Sequence, residues 1–154
     1  MSEIPVQQIH GDPAALAVKV ASAMAKLDAA VRHMGISIED VAPGAARVSM
    51  EVRPEMLNSH GTGHGGFIFT LADTAFAYSC NARNEATVAA GCSIEFLAPA
   101  ACGDRLTAVA KESCRAGRTG IYDVTVSNQR AETIAMFRGK SHRIKGTSVP
   151  EGSF

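Results

Sequence analysis

Residues 58–83 read N-S-H-G-T-G-H-G-G-F-I-F-T-L-A-D-T-A-F-A-Y-S-C-N-A-R. The stretch opens as a polar, Gly-rich loop from Asn58 to Gly66. It continues as an apolar segment long enough for about five helical turns. Phe67, Ile68, Leu71, Ala72, Ala75 and Phe76 make one broad apolar face, extended by Ala77 and Tyr78. A helix apolar all round belongs in a core. Asp73 stands in the middle of it, where an ionised carboxylate without partner or water costs several kcal/mol. Two explanations fit that placement. Asp73 faces a water-filled seam or caps a neighbouring loop, or it is held there for chemistry.

The loop ahead of the helix has a chemistry of its own. The first N–H groups of a helix have no internal partner and carry the positive end of its dipole. Glycines at 61, 63, 65 and 66 let the backbone turn sharply and leave those amides uncovered. Such a terminus can polarise a carbonyl or hold an oxyanion. Gly65 and Asp73 are eight residues apart, so about 12 Å along one helix axis. One carbonyl group cannot touch both. If they share a reaction, Asp73 of one chain must meet Gly65 of another, which predicts a dimer with two composite sites.

Working outward, the chain has 154 residues, enough for one domain with a sizeable core. Lysine plus arginine and aspartate plus glutamate are 15 each, and this balance excludes a general nucleic-acid binder. No apolar run is long enough to span a membrane. The start, M-S-E-I-P-V-Q-Q, lacks the basic and apolar regions of a signal peptide. Cys80, Cys92, Cys102 and Cys114 lack the close pairing of zinc sites. The first two are expected as small core residues, and a reducing cytoplasm is the simplest compartment.

Asp12 as N-cap, Pro13 at the first position and apolar residues from Leu16 to Met34 at helical spacing predict a helix over 12–34, stopped by Gly35. Residues 36–42 and 46–52 read as strands joined by the Pro43–Gly44 turn, with Val48, Met50 and Val52 on one face. After the central helix come strand-like stretches at 87–97, 104–114, 119–129 and 133–144, separated by short polar or Gly-containing turns. Long consecutive strands with short turns predict an antiparallel meander, and one helix against it gives an α+β domain. The tail from Gly146 reads as loose.

Several motifs have a bland reading beside the functional one. Gly61 to Gly66 satisfies G-x-G-x-x-G, but no buried strand precedes it and the following strands alternate without helices, which excludes a dinucleotide site. His60 and His64 have a zinc-like spacing of four, yet lie in a loop without a third ligand, so no metal is expected. His64 is better placed to orient a substrate or support the turn. Asn58 either holds a water or the Asp73 carboxylate, or satisfies its own turn. Arg138, Lys140 and His142 share one face of the last strand, with Arg115 and Arg118 in the turn before. This strip is either a solvated strand face or a seat for phosphate. No serine-nucleophile elbow occurs.

Residues 64–81, H-G-G-F-I-F-T-L-A-D-T-A-F-A-Y-S-C-N, together with F-L-A-P at 96–99, G-I-Y-D-V-T-V at 120–126 and F-R-G-K-S-H-R-I at 137–144, resemble the hotdog-fold acyl-CoA thioesterases. The nearest branch is the phenylacetyl-CoA thioesterases (PaaI-like), and the resemblance covers about residues 35–147. It implies a hotdog fold, a long central helix wrapped by a curved antiparallel sheet, here with an extra N-terminal helix. It implies hydrolysis of phenylacetyl-CoA or hydroxyphenylacetyl-CoA to free acid and coenzyme A, with no cofactor, coenzyme A being part of the substrate. It implies dimers that pair into homotetramers. Within the site it makes Asp73 the nucleophile or general base and Gly65, with Gly66 beside it, the carbonyl-polarising end. Asn58 and His64 line the site, and Arg115, Arg118, Arg138 and Lys140 resemble residues that meet coenzyme A phosphates. Ala77 stands where some distant relatives carry threonine. The alternatives are a benzoyl- or medium-chain acyl-CoA thioesterase, or a non-catalytic acyl-CoA-binding module.

Overall fold

The apolar run is a helix, and the rest of the chain is arranged against it. The computed structural model describes residues 11–150 and 152–154; the N-terminal stretch read above for targeting lies outside the described residues. The central helix α3 runs Gly65–Asn81. Ile68, Leu71, Ala72, Ala75, Phe76 and Tyr78 are buried along it. It is not covered all round: Thr70, Asp73 and Ala77 are only partly buried, and Gly66 is exposed. At spacings of three and four these residues form one open stripe down the helix.

Before α3 come helices α1 (Pro13–Leu27) and α2 (Ala29–Met34) and strands β1 (Ser37–Ala42) and β2 (Ala45–Glu51). After it come β3 (Thr87–Phe96), β4 (Arg105–Ala116), β5 (Thr119–Ser127) and β6 (Thr133–Arg143). They form one antiparallel six-stranded sheet in the order β1-β2-β4-β5-β6-β3. Strand alternation sets the inner face: Val48 and Met50, then Leu106, Ala108 and Ala110, then Tyr122, Val124 and Val126, are all buried. Phe76 reaches from the helix to Tyr122 and Phe137, with ring centroids 5.5 and 5.8 Å away. The sheet makes room for it at Gly139, where a Cβ would lie 2.8 Å from the Phe76 ring. Truncating such a ring typically costs about 3–5 kcal/mol.

Four expectations need correction. The meander holds for β4, β5 and β6, but β3 pairs with β6 at the far edge and not with β4. The Leu97–Asp104 connection is the reason. It is too long for a hairpin and is tied to the start of the helix, Gly63 N–H donating to Ala100 O (2.8 Å) and Gly103 N–H to Val52 O (2.7 Å). It therefore carries the chain back past α3 to the other side of the sheet. As an edge strand β3 is mostly exposed, so Cys92 is exposed while Cys80 is buried.

The helix expected over 12–34 is two helices. Asp28 leaves the helical region (φ −83°, ψ 93°), and its carboxylate accepts from Val31 N–H at 3.1 Å to begin α2. A short acceptor that bonds nearby backbone favours a cap over a helix interior. Tyr78 O–H on α3 also donates to Asp28 (3.4 Å), which fixes the break against the core. The tail is not loose either. Val149 is buried against Val20 and Ala23, and Ser148 and Val149 bond the side chains of Asn81 and Asn84 at 2.6 and 3.0 Å. No described helix is long and apolar enough to cross a membrane.

Candidate active site

Two features of α3 stand out, one at its start and one halfway along. At the start, His64 is the N-cap, and its Nδ1 accepts from Gly66 N–H at 2.9 Å. That nitrogen is therefore the unprotonated one. His64 N–H donates to Met56 O at 2.8 Å, and Phe67 N–H to His64 O at 3.0 Å. This leaves Gly65 N–H, which has no acceptor among the described residues. The loop thus covers three of the four terminal amides and leaves one bare, with the helix dipole behind it.

Gly65 borders a cleft of about 370 Å³, shared with Asn58, Thr62, Ile68, Phe96 and Pro99. Asn58 stands in its wall, but its carboxamide is spent inside the loop: Oδ1 accepts from His60 N–H (2.9 Å) and Thr62 N–H (3.2 Å), and Nδ2 donates to Thr62 Oγ1 (3.1 Å). These are the turn contacts expected of a loop asparagine. A Cβ on Gly65 would lie 2.9 Å from the tip of the Phe96 ring, so a side chain here would push the ring aside.

Halfway along, Asp73 sits on the open stripe with no hydrogen bond or ion pair among the described residues, and burial alone pushes its carboxyl above the ordinary range. It does not border the Gly65 cleft. It lies near two thiols: burial carries Cys80 up to about 12, and the Asp73 charge adds to that shift. Burial and then the Asp73 charge raise Cys92 on β3 as well. Burial thus makes both thiols harder to ionise beside the Asp73 carboxylate.

The cationic strip divides. Arg138 makes a two-pronged pair with Asp123 (2.7 and 2.9 Å), and Arg115 and Arg143 share Glu85 (2.8 and 3.1 Å). Lys140 and Arg118 are exposed and pair with no carboxylate among the described residues. Within one protomer, then, the predicted residues fall into three places: Gly65, Gly66, His64 and Asn58 at the helix start, Asp73 on the stripe, and the cations on β6 and the neighbouring hairpin, where Arg115 ends up inside β4 and only Arg118 in the turn. Phe96 was missed as a site residue. Its only signal was its place in F-L-A-P, which says nothing about what the ring touches.

The Thioesterase superfamily profile matches residues 60–135, a span running from the loop through the helix to β6. The chain is 49% identical over 131 residues to acyl-coenzyme A thioesterase PaaI of Escherichia coli (strain K12), covering 85% of this chain and 94% of that one. This chain belongs to the hotdog-fold thioesterases, in the PaaI-like acyl-CoA thioesterase branch. The structure of E. coli PaaI, from the phenylacetic acid degradation operon, superposes with a TM-score of 0.87 at 47% identity, over 88% of this chain and 99% of that one. A variant of the phenylacetic acid degradation protein PaaI from Thermus thermophilus superposes at 0.73 with 38% identity, over 76% and 100%. The fold expected from the helix and strands is thereby established, and the enzyme is a hydrolase of thioesters.

Proposed function

We propose that this thioesterase hydrolyses phenylacetyl-CoA or a ring-hydroxylated relative to the free acid and coenzyme A, at sites built by two chains. The observation that carries the proposal is the pair of bare groups on α3. Gly65 N–H and the Asp73 carboxylate lack partners among the described residues of their own protomer, and the helix rise separates them by about 12 Å. Antiparallel helices from two chains bring Asp73 of one beside Gly65 of the other. The mostly exposed edge strand β3 is a suitable seat for that second chain. Dimers pair further into tetramers, and the enzyme works in the cytoplasm.

The thioester carbonyl oxygen accepts from Gly65 N–H, which polarises the carbon. Asp73 either attacks that carbon, forming an anhydride that water then opens, or takes a proton from an attacking water. Either way the C–S bond breaks, the acyl carbon gains one oxygen from water, and the sulfur leaves as the coenzyme A thiolate. A thiolate is a good leaving group, so no second acid is required. His64 holds the terminus in shape through Gly66. Arg118 and Lys140 meet the coenzyme A phosphates, and Arg138 and Arg115 act there only on leaving their carboxylates. The aryl-acetyl preference is supported by the phenylacetic acid context of the E. coli and Thermus relatives.

Two experiments test this. Coenzyme A release, followed with a thiol-trapping reagent over phenylacetyl-, benzoyl-, hexanoyl- and acetyl-CoA, is expected to favour phenylacetyl-CoA; a flat panel removes the substrate assignment. Co-expressed Asp73→Asn and Gly65→Ala chains, each strongly impaired alone, are expected to regain activity, because one site of the mixed dimer has both native groups. No recovery in a verified mixed dimer places both groups in one chain's site and ends the composite-site proposal.

A further inference from the structure

We propose that Phe96 is a specificity-determining residue: its ring is the wall against which the acyl group lies while the thioester carbonyl is held at Gly65 N–H. This rests on the reading of Gly65 just given and adds which side of the thioester faces this cleft. Three observations carry it. The tip of the ring (Cζ, Cε1, Cε2) lies 2.9–3.4 Å from where a Gly65 Cβ would be, so ring and bare amide are immediate neighbours. The ring is 52% exposed, so its own chain leaves much of it uncovered. The cleft between them is walled by Ile68, Leu97, Ala98 and Pro99, and its polar side chains, Asn58 and Thr62, are hydrogen-bonded to each other at 3.1 Å.

The chemistry of the two arms of the substrate then differs here. The pantetheine arm carries amide groups that need partners, and burying them against an apolar wall is unfavourable. A phenylacetyl group carries only carbon and hydrogen beyond its carbonyl, and that wall suits it. An aryl-acetyl group has its ring one carbon from the carbonyl, within reach of Phe96 at the separations aromatic pairs prefer. Such a pair adds a preference of roughly three- to tenfold over an alkyl chain of similar size.

The test is the ratio of kcat/KM for phenylacetyl-CoA to that for hexanoyl-CoA in the full-length enzyme, its Phe96→Leu variant and its Phe96→Tyr variant. Phe96→Leu is expected to lower the ratio roughly three- to tenfold, and Phe96→Tyr, which keeps the ring, to preserve it. If the Leu variant melts early, Phe96→Met provides the same comparison. A uniform fall on both substrates, or equal ratios in all variants, means the ring only packs against Gly65, and the inference is overturned while thioester hydrolysis stands. A wild-type enzyme that releases no coenzyme A from either substrate overturns the functional reading and this inference with it.

Discussion

Asp73 and Glu112 are both part-buried carboxylates, and their surroundings differ in every respect. Glu112 continues the inner face of β4 beyond Ala110. Burial pushes its carboxyl up, but hydrogen bonds from Arg83 (2.9 Å) and Tyr122 O–H (2.8 Å) outweigh burial and hold it below the ordinary range. It locks the end of α3 to β4 and β5. Asp73 has burial and nothing to offset it, so its carboxyl moves up. A carboxylate left bare beside one satisfied this fully is a candidate for contact with another molecule. The contrast separates a carboxylate that holds the fold from the one proposed here for the chemistry.

The sharpest way to break the comparison is to neutralise each in turn. Asp73→Asn should lower kcat by about 10²–10⁴-fold, read as coenzyme A release. It should also stabilise the fold at neutral pH. The raised folded-state carboxyl makes ionised Asp73 a cost that is full above its folded pKa and absent below the ordinary carboxyl range, so the gain should vanish on acidification. Thermal melts across pH check the sign. By the same shift, the acid limb of the wild-type rate profile should lie above the value of an ordinary aspartate.

Next comes Gly65→Ala. Its methyl would meet Phe96 at 2.9 Å, and the half-exposed ring can swing away, so the fold should survive. The amide is crowded instead, and kcat/KM should drop about 10–100-fold, below the loss of a full oxyanion donor. Circular dichroism beside the assay separates the two effects. Glu112→Gln should behave oppositely to Asp73→Asn. It should cost about 1–3 kcal/mol at pH 7, while activity per folded enzyme holds. Its lowered folded-state carboxyl contributes stability above the ordinary value and loses it as pH falls through the folded one, so acid should erase the difference. The smallest effects belong to the cations. Arg118→Ala and Lys140→Ala should raise KM for acyl-CoA a few-fold with kcat held, more at low salt. Arg138→Ala, already paired with Asp123, should do less.

How much of this was legible beforehand depended on whether the signal was local. The helix was readable from apolar spacing, the strands from alternation, and the odd status of Asp73 from one charge in an apolar run. Gly65 was readable as a helix start because glycine there has one obvious use. The place of β3 was not readable, because hydrogen-bond pairing between distant strands leaves no trace in either strand's own pattern. Nor was the division of the arginines, since Arg138 and Lys140 look alike until Asp123 is seen beside only one of them. The break at Asp28 was hidden because aspartate fits a helix pattern poorly but not impossibly, and Tyr78, fifty residues on, helps to fix it.

By itself the sequence determined which residue types stand at which helical and strand positions, and so the fold class and the placing of one carboxylate and one glycine-opened terminus on the central helix. Those are short-range matters, set by backbone sterics and the cost of burying charge. Only the tertiary structure decided which candidate groups are left without partners among the described residues: the Gly65 amide, the Asp73 carboxylate, and Arg118 and Lys140 of the cationic strip. That outcome depends on where long-range packing brings the competing donors and acceptors, and it is what turns a list of candidate residues into a site.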